Sequence, residues 1–123
     1  MPSRNLLARE LSVMLKAIAH PDRIRIIEEL KAGALDVSAL SARLGVTSTR
    51  ISQHLALLKA HRLVEERRDG RHHHYSLAER DIAEWILDGA PFIERRIASD
   101  IAAQQMIAAA KKLWRDDDPK NPN

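Results

Sequence analysis

Thr49, Arg50, Ser52 and Gln53 are hydrogen-bonding side chains spaced to lie on one outer face of a helix. Set in a DNA groove, Gln53 can make the bidentate contact that reads adenine. Arg50 can reach guanine or phosphate, and Thr49 and Ser52 can reach bases or phosphates. Ala56 shares that face and leaves room for close approach. Three further cations, Arg67, Arg68 and Arg71, crowd around Asp69-Gly70. That dipeptide suits a type I′ turn, so Val64 to Arg68 and Arg71 to Leu77 are expected to form a β-hairpin with the arginines at its tip. Long cations there can enter a minor groove or rest on phosphates.

His72, His73 and His74 raise the possibility of a metal site. Strand alternation turns His72 and His74 to one face and His73, with Tyr75 and Leu77, to the other, so each face lacks a full ligand set. No metal or other cofactor is expected there, and His54 and His61 are read as packing or phosphate-contacting groups. Catalysis has little support either. Ser52 and His54 share a helix without a placed acid, and no glycine-rich phosphate loop occurs, so the chain is not expected to be an enzyme.

The reading helix needs a mount. Ile51, Leu55 and Leu58 form its inward stripe and Thr47 is its expected N-cap. Before it, Asp36 should cap a short helix from Val37 to Leu44 that Gly45 ends. Pro21 and Asp22 open another helix, running to about Lys31, with Ile24, Ile27 and Leu30 inward and Gly33 closing it. An amphipathic first helix carries Leu7, Leu11, Met14, Leu15 and Ile18 and stops near His20. Two helices joined by a tight Gly-containing turn, the second with a polar outer face and followed by a hairpin, are the pattern of a winged helix-turn-helix.

Beyond the hairpin a helical region runs from about Ala78 to Trp114. Its first portion spans Asp81 to Gly89, and Pro91 kinks or restarts it. The second portion is apolar on two adjacent faces, one with Ile93, Ile97, Ile101 and Ala108 and the other with Ala98, Ala102, Ala109 and Leu113. A helix apolar on two faces is buried on both. It is therefore expected to pack with the first helix and with its own copy in a second chain, with Leu7, Leu11, Met14, Ile97, Ile101 and Ala108 in the interface. A twofold dimer of this kind would recognise an inverted repeat in double-stranded DNA.

Charge agrees with this placement. The whole chain of 123 residues carries only +3, but Arg43 to Ser76, which includes Lys59, has seven basic residues against three acidic, leaving the remainder at −1. Phosphate attraction depends on such local concentration. With no cysteine there is no disulfide or thiolate chemistry. No long apolar run or signal pattern occurs, and a cytoplasmic protein without membrane contact is expected. One domain, residues 1–115, is the expected organisation, with a reading core at about 21–77, dimerisation helices at about 5–19 and 79–114, and a disordered tail at 116–123.

The segments LKAIAHPDRIRIIEEL, SQHLALLKAHRLV and RRDGRHHHYSL, in this order, resemble the ArsR/SmtB family of bacterial winged-helix repressors. The resemblance spans Leu11 to Leu77. It implies a mainly α fold with a small β-hairpin, in the order α-α-α-α-β-β-α, and a homodimer that binds operator DNA and releases it on a signal. It also implies Thr47, Ser48, Thr49, Arg50, Ser52, Gln53 and His54 as DNA readers, with Arg71 at the wing. The family's sensing sites are missing: Asp36 stands where the third helix would carry a key cysteine, and the last helix lacks histidine. The remaining options for control are an apolar small molecule between the first and last helices, or no ligand. Where the family commonly has glycine after the reading helix, this chain has Arg62, which implies strain or a different helix end. A winged helix serving as a protein or RNA interaction module is the alternative, distinguished by weak, salt-insensitive DNA binding.

Overall fold

The computed structural model describes residues 2–97 and 99–116. The chain forms two compact units, one ending at Glu79 and the other beginning at Arg80. The first unit runs α1 (Pro2–Ile18), α2 (Pro21–Leu30), α3 (Val37–Leu44), α4 (Ser48–Ala60), β1 (Val64–Asp69) and β2 (His72–Leu77). The second holds α5 (Asp81–Leu87), α6 (Ala90–Arg96) and α7 (Ile101–Asp116). Mainly helical with a two-stranded antiparallel wing, this is the expected fold class.

Local chemistry sets most helix ends in the first unit. Pro21 opens α2, whose second amide, that of Asp22, donates to His20 Nδ1 at 3.0 Å. Asp36 caps α3 by accepting from the Ala39 amide at 2.7 Å, and Gly45 ends that helix at φ +69°. Thr47 caps α4 by accepting from the Arg50 amide at 3.3 Å. Each cap satisfies an amide that the first helical turn leaves unpaired.

Ile51, Leu55 and Leu58 are fully buried, as their spacing requires, and each contributes about 1.5–3 kcal/mol of apolar burial. They meet Leu40 of α3 and Ile26, Ile27 and Leu30 of α2 in the core. Ile24 was expected inside, but it is half-buried and Ile26 takes its place. Helix α2 packs against both α3 and α4, and Ile26, Ile27 and Leu30 share an arc of about 100° that leaves Ile24 outside.

The wing corrects another detail. Strand register pairs Val64 with Leu77 and Asp69 with His72, so the two-residue turn is Gly70-Arg71, not Asp69-Gly70. Gly70 has φ +62° and Arg71 has no positive φ, the pattern of a type II′ rather than a type I′ turn. This phase places the turn's positive φ on glycine and spares Asp69 the strain. Leu35 adds a bridge to Tyr75, with N–H···O distances of 3.0 and 2.8 Å, so the connection before α3 braces the wing.

The end of α4 shows the expected conflict at Arg62. Its φ of +59° is left-handed, and the Arg62 and Leu63 amides donate to the carbonyls of Lys59 and Leu58, each at 2.9 Å. This is a Schellman closure with a non-glycine residue in the glycine position. Leu58 and Leu63, the two positions between which such a closure commonly carries an apolar contact, are both buried.

Helix α1 starts at Pro2, earlier than expected, and buries only Ala17 and Ile18. In the second unit α5 and α6 are separated near Gly89 and Pro91 as expected, but the following helix is not continuous. It breaks after Arg96 and restarts at Ile101, where the Asp100 carboxylate accepts from the Ala103 amide at 3.0 Å. Asp favours an N-cap over a helix interior because its side chain can satisfy backbone amides. Ala98 and the tail from residue 117 lie outside the described residues, whereas Asp116 is the last residue of α7.

Candidate nucleic-acid interface

The buried stripe of α4 turns its opposite face outward. Thr47, Ser48, Thr49, Arg50, Ser52, Gln53 and Ala56 are exposed, and Ser48, Thr49, Ser52, Gln53 and Ala56 line one shallow concavity. Short side chains keep the surface low, and a rigid core holds it. Arg67, Arg68 and Arg71 are exposed on the wing, with Arg71 in the turn itself. Apart from His54, the expected reading and phosphate-contacting groups thus lie on one helix face and on the wing.

Two expected contacts are already engaged inside the chain. Arg50 Nη2 donates to Asp22 Oδ2 at 3.0 Å, which ties the reading face to the start of α2. Lys59 Nζ donates to Glu66 Oε1 at 3.0 Å, which ties the end of α4 to the wing. Glu66 also receives the Tyr75 hydroxyl at 2.8 Å, and His73 Nδ1 lies 2.9 Å from Glu66 Oε2. These partners, His73 first, then Lys59 and Tyr75, hold the Glu66 carboxyl down at about 2. In turn, burial and Glu66 raise the Tyr75 hydroxyl above its ordinary range.

His54 stands apart from the outer face. Its side chain is only 13% exposed and points toward α2, with Nε2 3.4 Å from Asp22 Oδ2 and Nδ1 3.4 Å from Arg23 Nη1. Its ring centroid is 4.5 Å from that of His20. Burial, followed by the neighbouring His20 and Arg23 charges, lowers its pKa below the usual imidazole value. His72 and His74 share a wing face with ring centroids 6.2 Å apart, while His73 and Tyr75 turn together toward Glu66, as strand alternation requires.

Sequence reasoning missed Asp22 and Glu66 as organisers of these surfaces. Asp22 carried a helix-start signal that accounted for it fully. Glu66 carried a usable one: it shares a strand face with its cross-strand partner Tyr75, so a carboxylate there has a phenol within reach.

Comparison with known proteins agrees with this geometry. The model of the family described as bacterial regulatory protein, arsR family, matches residues 20–66. The biofilm growth-associated repressor of Agrobacterium fabrum is 33% identical over 70% of this chain and 74% of its own length. The crystal structure of Mycobacterium tuberculosis Rv0081 is 38% identical, covers 81% of this chain and 96% of that one, and has a TM-score of 0.60. A homodimeric winged helix-turn-helix DNA-binding domain of Mycobacterium bovis Mb0332, solved by NMR, is 29% identical over 77% of this chain and 89% of that one, with a TM-score of 0.65. A polar reading face on a buried helix, a basic wing and these relatives lead to one assignment: the chain belongs to the ArsR family of winged helix-turn-helix DNA-binding transcriptional regulators.

Proposed function

We propose that the protein acts as a twofold dimer that represses transcription by binding an inverted repeat in double-stranded DNA. The observation that carries this reading is the exposed face of α4, directly opposite the fully buried Ile51, Leu55 and Leu58. Gln53 and Arg50 contact base edges, Thr47, Ser48, Thr49 and Ser52 fix the helix in the groove, and Arg67, Arg68 and Arg71 neutralise phosphates beside it. Lys59 and His54 contribute by holding α4 against the wing and α2.

Dimerisation is supported by apolar surface that each unit leaves exposed. On α1, Leu7 is 62% exposed and Leu11 38%; on α7, Ile101 is 70% exposed and Leu113 63%. A second copy would cover these faces, with Met14, Ile97 and Ala108 beside them. The Mb0332 domain, of similar fold, is homodimeric, which supports a dimer here. With no cysteine and no last-helix histidine, control is not assigned to a thiolate or to a last-helix metal site.

The test is a binding titration of full-length protein on its genomic sites and on random DNA across salt concentrations. Gln53→Ala should cost about 1–3 kcal/mol at the contacted base and relax discrimination there. Arg71→Ala should weaken both DNAs alike. In a dimer each arginine occurs twice, so its removal should flatten the salt slope by about 1.8. Equal losses on both DNAs for Gln53→Ala would refute its reading role, and salt-insensitive binding would favour a protein or RNA partner.

A further inference from the structure

His20, Asp22 and His54 come from two places in the sequence, yet each offers a ligand atom within 4.8 Å of the others. His54 Nε2 and Asp22 Oδ2 are 3.4 Å apart, and His20 Nδ1 is 3.9 Å from the same oxygen. Two ligands at about 2.0–2.1 Å from a tetrahedral ion are separated by about 3.3 Å, so the first pair is already at coordinating distance. We propose that His20, Asp22 and His54 bind a divalent first-row transition metal, best matched by zinc, and that occupation withdraws the Asp22 carboxylate from Arg50 of the reading helix.

The donor set decides the class of ion. Two imidazoles and one carboxylate suit zinc and its first-row neighbours, whereas calcium and magnesium prefer all-oxygen sets and soft ions prefer sulfur. Three protein ligands leave a fourth position for water. This revises the sequence reading of His54 as a packing or phosphate-contacting group. The site is distinct from the third-helix thiolate and last-helix histidine positions whose residues this chain lacks.

The surroundings make binding a competition. Arg50 Nη2 holds Asp22 Oδ2 at 3.0 Å and is 56% exposed, so it can swing into solvent when a cation arrives. Arg23 donates to the Ala17 carbonyl at 2.6 Å and to the Lys16 carbonyl at 3.4 Å, and these anchors keep it when its 3.4 Å contact with His54 Nδ1 is given up. That nitrogen carries the imidazole proton once Nε2 binds metal. His20 likewise surrenders its 3.0 Å cap bond from the Asp22 amide, because its one free lone pair goes to the ion. Metal therefore acts on the helix that reads DNA through the residue that holds Arg50.

The experiment is titration of the metal-free full chain with zinc, and with cobalt as a spectroscopic probe, in the absence of DNA. One ion per chain is expected, with the visible absorption of four-coordinate cobalt, displacement by zinc, and a shifted Asp22 amide resonance. His20→Asn keeps a capping side chain and Asp22→Asn keeps the shape; each should weaken binding by more than the roughly tenfold that loss of an outer partner costs. Arg50→Ala should tighten it by up to about fivefold, because its competing ion pair is gone. The double variant His72→Ala, His74→Ala should bind normally. No binding by the folded wild-type chain, or loss only in that wing variant, would overturn the site. An unchanged affinity in Arg50→Ala would overturn the competition.

Discussion

Arg62 allows a substitution to be worked from backbone geometry. Its φ of +59° puts a side-chain-bearing residue in the left-handed region, at a cost of about 1–2 kcal/mol relative to ordinary helical backbone. Arg62→Gly removes that cost but frees the unfolded chain, which returns roughly 0.4–1 kcal/mol. The net expectation is stabilisation of about 0.5–1 kcal/mol. Arg62→Ala is the control, since it removes the same exposed cationic side chain and keeps the strain. Equilibrium urea unfolding followed by circular dichroism, at fixed protein concentration, should order the variants glycine above alanine by about 1 kcal/mol. That difference moves the midpoint by roughly 0.3–1 M. The amide bonds from Arg62 and Leu63 to Lys59 and Leu58 are available to both variants, so they do not bias the comparison. If alanine matches or exceeds glycine, the strain argument fails.

Other expectations follow from the same structure. Leu55→Ala, at a fully buried position, should lower unfolding stability by about 2–5 kcal/mol, measured by denaturant titration. The Glu66 carboxyl should titrate by NMR near its value of about 2 rather than the ordinary 4.5. Because its folded pKa is depressed, its stabilising contribution is full above about pH 4.5 and disappears as pH falls through about 2. Glu66→Gln should remove that acid-dependent part and loosen the wing, seen as faster amide exchange at Tyr75. Ile101→Lys on the 70% exposed apolar position of α7 should shift sedimentation toward monomer and weaken operator binding, whereas an unchanged dimer would exclude Ile101 from the interface.

Much of the fold was legible because it is encoded locally. The caps at Asp36 and Thr47 act over three residues, and the Ile51, Leu55 and Leu58 stripe follows from helix period alone. The division of the wing histidines between faces likewise needs only strand alternation. These features also place Thr49, Ser52 and Gln53 outward, which made the candidate interface legible before any contact was known. The apparent continuity of the last helix misled because its alanine-rich pattern outweighed the cap signal of Asp100.

The sequence by itself determined the order of elements, the inward and outward faces of α4, and the clustering of positive charge around the wing. Only the tertiary structure decided which polar groups meet. Arg50 finds Asp22 across 28 residues and Arg23 finds His54 across 31, separations over which neither periodicity nor capping carries information. Those meetings depend on how α2 lies against α4, and that is set by the shape of the apolar side chains between them. The same packing chose Ile26 over Ile24 and brought His20, Asp22 and His54 to one point. Short-range backbone chemistry makes the elements, whereas the close packing of their buried faces chooses the neighbours of each exposed group.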